Sequence, residues 1–225
     1  MLRQPHIKIC GLTSLEAVEA VLARGGPEVG FVHFAKSPRH LSLDRMAALR
    51  AAVGSRAGVA VVTVDPDDDL LDALVATVRP DTIQLHGHET TDRVRDVAAR
   101  TGLAVMKAVS IRTHDDLAAI PAYSAVADRL LLDAKAPEGA DLPGGNGQTF
   151  DWSLLSGFSP DTPYMLSGGL TADNVGQAMA RLHPYGLDVS SGVESSPGVK
   201  DIGRIDAFFD AVAAAPQPER SSPAR

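Results

Sequence analysis

Eight times in succession a short run of β-branched or aliphatic residues is followed by a longer amphipathic stretch, and this rhythm constrains the fold of the chain most. The first run, Ile7-Lys8-Ile9-Cys10, is followed by Gly11 and by Thr13-Ser14, and an amphipathic stretch covers 15–23. Serine and threonine suit that place because their hydroxyl oxygens accept from the open amides of a helix start. Residues 29–32 precede a helical pattern over 42–53, with Leu43, Met46, Ala47 and Leu49 on one face. Residues 59–64 are too apolar to have a solvent face, as in a strand covered on both sides. They lead through the acidic turn 65–69 to a helix over 70–78. The next strands are 82–85 and 103–108, with helices over 89–100 and 113–120. Strand 129–133 is separated from a short helix near 152–155 by a glycine-rich loop, 139–147. Strands 163–166 and 186–189 open the last two units, whose helices are expected over 172–182 and 202–214.

Eight such units fit a single-domain α/β (β/α)8 TIM barrel over residues 1–215 of the 225. An open doubly wound sheet is the alternative, but eight regular units without a nucleotide fingerprint favour closure. Residues 216–225, rich in Pro and Ser, are expected to be a disordered tail. With 21 basic against 28 acidic residues the net charge is −7, which argues against nucleic-acid and anionic-membrane partners. One cysteine cannot form an internal disulfide, no apolar run reaches the ~18 residues of a membrane span, and the first residues have no signal-peptide core. These features predict a cytoplasmic protein, and the charge favours a monomer over a dimer.

A barrel places its chemistry at the C-terminal ends of its strands. There stand Cys10, His33, Asp65, Gln84 with His86, Lys107, Asp133, and two small turns, Ser167-Gly168-Gly169 and Ser190-Ser191-Gly192. Two glycine-bearing turns after strands seven and eight suit a phosphate, because small residues let backbone N–H groups approach its oxygens and a helix start adds its dipole. Cys10, close to a helix N-terminus, is a candidate for an acidified thiol, or else a small buried hydrophobe. Asp133 ends a strand of three leucines, so it is a candidate acid with a raised pKa, or a group paired with Lys135 or Lys107. Arg39, in Lys36-Ser37-Pro38-Arg39, has the planar fork that suits a carboxylate ligand, or is a solvated surface residue. The seven histidines have no metal-ligand spacing, His86 and His88 are expected to diverge, and no metal is predicted.

Taken together these motifs resemble the phosphoribosylanthranilate isomerases of tryptophan biosynthesis. The resemblance rests on Lys8-Ile9-Cys10-Gly11-Leu12-Thr13, Lys36-Ser37-Pro38-Arg39, Gln84-Leu85-His86-Gly87, Leu132-Asp133, Gly144-Gly145-Asn146-Gly147, Leu166-Ser167-Gly168-Gly169 and Asp188-Val189-Ser190-Ser191-Gly192. It implies a cofactor-free Amadori rearrangement of a phosphorylated small molecule, with Asp133 as general acid and Cys10 as general base. It also implies Arg39 on the anthranilate carboxylate and Gly168, Gly169, Ser191 and Gly192 on the phosphate. Gln84, His86 and the loop Gly144, Gly145, Asn146 and Gly147 would line the substrate pocket. Asn146 stands where the family commonly has threonine, and His33 where hydrophobic residues are more usual. A histidine-pathway isomerase, which uses two aspartates, is disfavoured by Cys10, and a catalytically dead binding protein by the presence of both acid and base.

Overall fold

The computed structural model describes residues 5–134, 151–155, 158 and 162–216. Eight parallel strands, β1 (His6–Cys10), β2 (Glu28–Val32), β3 (Gly58–Thr63), β4 (Thr82–Leu85), β5 (Ala104–Ile111), β6 (Arg129–Ala134), β7 (Tyr164–Leu166) and β8 (Gly186–Val189), pair in sequence order and close between β8 and β1. The closing ladder sets Ile7 against Leu187 and Ile9 against Val189. The expected barrel is therefore the observed fold, and the open sheet is excluded.

Around it run α1 (Leu15–Ala23), α2 (Leu43–Val53), α3 (Asp68–Ala73), α4 (Thr91–Thr101), α5 (Ile120–Ser124), α6 (Val175–Leu182) and α7 (Ile202–Ala214). Side-chain oxygens of Ser14, Ser42, Asp67, Thr90 and Asp201 accept from the opening turns of their helices. Each such cap stabilises its helix by about 1 kcal/mol. Strand residues facing outward, such as Ile9, Phe31, Val61 and Leu132, bury against helix residues such as Val18, Met46 and Phe208. Inside the barrel Met106, Ala108, Leu131 and Met165 form a separate apolar plug. The barrel is a filled core on both faces of its strands, which is why those strands read as continuous apolar runs.

Several boundaries differ from expectation for local reasons. Strand β5 runs on to Ile111 because Val109 and Ile111 pair with Leu132 and Ala134. The helix expected over 70–78 is α3 followed by a π-helical turn, Leu74–Val78, that ends at left-handed Arg79. The stretch 113–120 is mainly a 3-10 turn, His114–Ala119, started by a Thr113–Asp116 capping box. Helix α6 starts only at Val175, because Asn174 accepts from Thr171 N and donates to Gly169 O, which holds the preceding turn. Between β8 and α7 lies an unanticipated ribbon, β9 (Glu194–Ser196) with β10 (Val199–Lys200). The loop 139–147 and residues 217–225 lie outside the described residues.

Candidate active site

Strand alternation turns Lys8 and Cys10 into the barrel and Ile7 and Ile9 outward. Cys10 is buried against Val32 and Val62, with Phe34 packed on them. Its ladder partner on β2 is Gly30. A Cβ there would stand 2.9 Å from Cys10 Sγ and 3.1 Å from Lys8 Cε, so only glycine leaves room for both side chains. Lys8 is fully buried and donates to Asp188 Oδ1 at 2.7 Å. Asp188 Oδ2 accepts from Ser167 Oγ at 3.4 Å. Burial pushes the Cys10 thiol up, Lys8 pulls it down, Asp188 adds to the rise and Lys200 opposes it, for a net upward shift. Of the two alternatives the sequence left open, acidified thiol or small buried hydrophobe, the burial of Cys10 and the upward direction of its shift favour the second as the resting environment.

Asp133 is the penultimate residue of β6, three strands round the barrel from Cys10, and is also buried. Its Oδ1 accepts from Ala134 N at 2.9 Å. His86 Nε2 lies 3.3 Å from Oδ2, close enough for an ion pair but not aligned for a hydrogen bond. On the far side of that ring, Gln84 Nε2 and His86 Nδ1 are 3.3 Å apart. Among the described residues Gln84 Oε1 and His86 Nε2 are buried without a hydrogen-bond partner, so both have capacity for one. Lys107 is no partner of Asp133: its ammonium donates to Glu89 Oε2 at 2.7 Å and Gly87 O at 2.8 Å. His88 diverges from His86 as expected, exposed and 3.3 Å from Asp65.

Arg39 is buried rather than solvated. Its Nε and Nη2 donate to Glu194 Oε1 and Oε2 at 2.7 and 2.8 Å. Lys200 donates to the same carboxylate at 2.8 Å. Burial would raise Glu194, but Arg39 and Lys200 hold it below the usual carboxylate range. One edge of the Arg39 fork is therefore fixed by the protein, which orients the guanidinium plane.

The two glycine turns meet. Gly168 and Gly169 are left-handed, with φ of +85° and +62°. A Cβ on Gly168 would fall 2.6 Å from Ala134 N, so this turn lies over the end of β6 beside Asp133. A Cβ on Gly192 would fall 1.8 Å from Leu170 O, so the Ser191-Gly192 turn packs directly on the first. The structure thus brings Gly168, Gly169, Ser191 and Gly192 into one surface next to Asp133. Gly144, Gly145, Asn146 and Gly147 lie outside the described residues.

The residues that sequence reasoning missed are Lys8, Asp188, Glu194 and Lys200. A signal was available: Lys8 and Asp188 each interrupt an apolar strand run, and a charge buried there needs a partner.

A closed (β/α)8 barrel with a buried carboxyl and a buried thiol at the C-terminal ends of its strands defines a barrel enzyme. The family model described as N-(5'phosphoribosyl)anthranilate (PRA) isomerase matches residues 7–211, and the chain belongs to that family. It is 54% identical over 209 residues to the N-(5'-phosphoribosyl)anthranilate isomerase of Agrobacterium fabrum, covering 93% of this chain and 95% of that one. A solved phosphoribosyl anthranilate isomerase in complex with reduced 1-(o-carboxyphenylamino)-1-deoxyribulose 5-phosphate superposes with a TM-score of 0.81 at 30% identity, over 93% of this chain and 98% of that one. Monomers generated from the dimeric Thermotoga maritima isomerase superpose with a TM-score of 0.80 at 32% identity, with the same coverage.

Proposed function

We propose that the chain isomerises N-(5'-phosphoribosyl)anthranilate to 1-(2-carboxyphenylamino)-1-deoxyribulose 5-phosphate, with Asp133 as general acid and Cys10 as general base. The observation that carries this reading is the pair of buried groups, carboxyl and thiol, on β6 and β1 of one barrel mouth. Asp133 protonates the furanose oxygen as the ring C–O bond breaks and the anilino nitrogen lone pair forms the iminium. Cys10 then takes the C2' proton, whose acidity rises only once the iminium exists, and an enolamine forms. Tautomerisation places a proton on C1' and leaves the ketone at C2'. Substrate and product are isomers, so no electron or group is lost and the two residues account for the proton transfers without a cofactor. Each such group contributes about 10²–10⁴-fold.

Arg39, held by Glu194, presents its guanidinium to the anthranilate carboxylate. The joined turns at Gly168-Gly169 and Ser191-Gly192 receive the phosphate, and Gln84 and His86 supply the two open hydrogen-bonding positions to the sugar. A phosphorylated substrate that does not cross membranes favours a cytoplasmic enzyme. Among the described residues Leu15 and Val199 are the large hydrophobics exposed, and with the charge of −7 this favours a monomer. The test is turnover of freshly generated substrate, followed by loss of anthranilate fluorescence. Asp133→Asn and Cys10→Ser should each lower kcat by about 10²–10⁴-fold with unchanged unfolding midpoints. Near-wild-type turnover in either variant removes that residue from its role.

A further inference from the structure

We propose that Lys8 is a positioning residue for the Cys10 thiolate, and that Asp188 sets how much of the Lys8 charge the sulfur feels. The proposal rests on the reading of Cys10 as the base and deepens it. Lys8 and Cys10 alternate into the barrel from the same strand, Lys8 one step deeper. The void left by Gly30 is bordered by Cys10 Sγ at 2.9 Å and Lys8 Cε at 3.1 Å, so the two side chains share one space. The Lys8 side chain is 0% exposed, and its ammonium pairs with Asp188 Oδ1 at 2.7 Å.

Stability does not explain this pair. Desolvating an ammonium and a carboxylate costs several kcal/mol per ion, and an apolar pair of similar volume is often as stable or more so. The barrel interior uses that apolar solution at Met106, Leu131 and Met165. Directly below the thiol it does not. A cation there stabilises the thiolate when Cys10 gives up its proton and later takes one from C2'. Asp188 keeps the buried lysine charged, and partly offsets its pull on sulfur.

The groups packed around Cys10 are Val32 of β2 and Val62 of β3, and the charges that act on it are Lys8, Asp188 of β8 and Lys200 of β10. Of the charges acting on the thiol, Lys8 pulls hardest toward the thiolate, ahead of the Asp188 repulsion and the Lys200 attraction. Glu28 of β2 acts on Lys8.

Cys10 is the single cysteine, so its ionisation is readable directly as the ultraviolet thiolate band in a pH titration, taken as a difference against Cys10→Ser. Lys8→Met should move the titration midpoint up, and Asp188→Asn should move it down by leaving the thiolate as the main counter-ion of Lys8. Lys8→Met should also lower kcat about tenfold or more near neutral pH with KM little changed, because Lys8 lies beneath the thiol and touches no substrate. An unchanged midpoint in Lys8→Met, or movement of both variants in the same direction, overturns the proposal. Should Lys8→Met fail to fold, Lys8→Met/Asp188→Asn leaves no lone buried charge. Its midpoint should lie above wild type, and one at or below wild type overturns the proposal. Because the titration does not depend on turnover, an active Cys10→Ser would remove the base assignment while leaving this result standing.

Discussion

The two ends of the barrel use the same kinds of side chain to opposite ends. At the N-terminal end, His6, Glu28, Thr82 and Arg129 are the first residues of β1, β2, β4 and β6. Arg129 donates to both oxygens of Glu28 at 2.8 and 2.7 Å and to Thr82 Oγ1 at 3.2 Å, and His6 Nε2 is 2.8 Å from Glu28. That cluster is saturated. At the C-terminal end, Gln84 Oε1 and His86 Nε2 stand buried beside Asp133 without hydrogen-bond partners among the described residues. A buried polar atom left open costs about 1–3 kcal/mol, so a fold retains it where a ligand can satisfy it. In these two clusters saturation goes with holding strand starts together, and open capacity with the barrel end where a ligand can enter.

That contrast breaks most readily at the closed end. Glu28→Ala leaves the partly buried Arg129 without its carboxylate, and should destabilise the protein by up to about 3–5 kcal/mol in urea unfolding while the folded fraction keeps near-wild-type kcat. Burial would raise the Glu28 carboxyl, but the bonds from His6 and Arg129 hold it down at about 2. Its folded value is depressed, so its contribution is complete above the unfolded carboxylate range and is lost as pH falls toward 2. On the order of 3 kcal/mol of stability should therefore disappear across that acid window, and Glu28→Gln should flatten that part of the curve. A large loss of kcat without loss of stability in Glu28→Ala would show that the two ends are not separate.

Substitution of Arg39 sharpens the comparison from the other side. Arg39→Ala should mainly raise KM, by roughly ten- to a hundredfold for a lost charge-assisted contact made equally in ground and transition states. An unchanged KM removes Arg39 from the carboxylate site. The smallest effect is expected at the exposed pair of Arg56 with Glu19, 2.7 Å apart on the outer surface. Glu19→Gln should leave both the melting temperature and kcat within experimental scatter, because solvent screens such pairs.

Much of the architecture was legible because secondary structure follows local periodicity. The apolar runs of Val59 to Thr63 and Leu130 to Leu132 were visible as strands, and the span of α7 was read to the residue. The capping serine at 14 was equally visible, whereas Ser42, read as part of its helix, caps it instead. The ribbon β9–β10 was not, because three- and two-residue strands are too short to establish a period. Cys10, Asp133 and the two glycine turns were found by their positions at strand ends. The state of the thiol was not legible in the sequence, because the burial and most of the charges around it come from elements distant in sequence.

The sequence by itself therefore determined a repeating strand–helix barrel and which residues stand at its mouth, since both follow from neighbours along the chain. Tertiary structure alone decided which charges meet. Lys8 pairs with Asp188 across 180 positions, Arg39 with Glu194 across 155, and Glu28 with Arg129 across 101. The physical reason is closure: the register between β8 and β1 sets Lys8 level with Asp188, and no local pattern along either strand encodes that register.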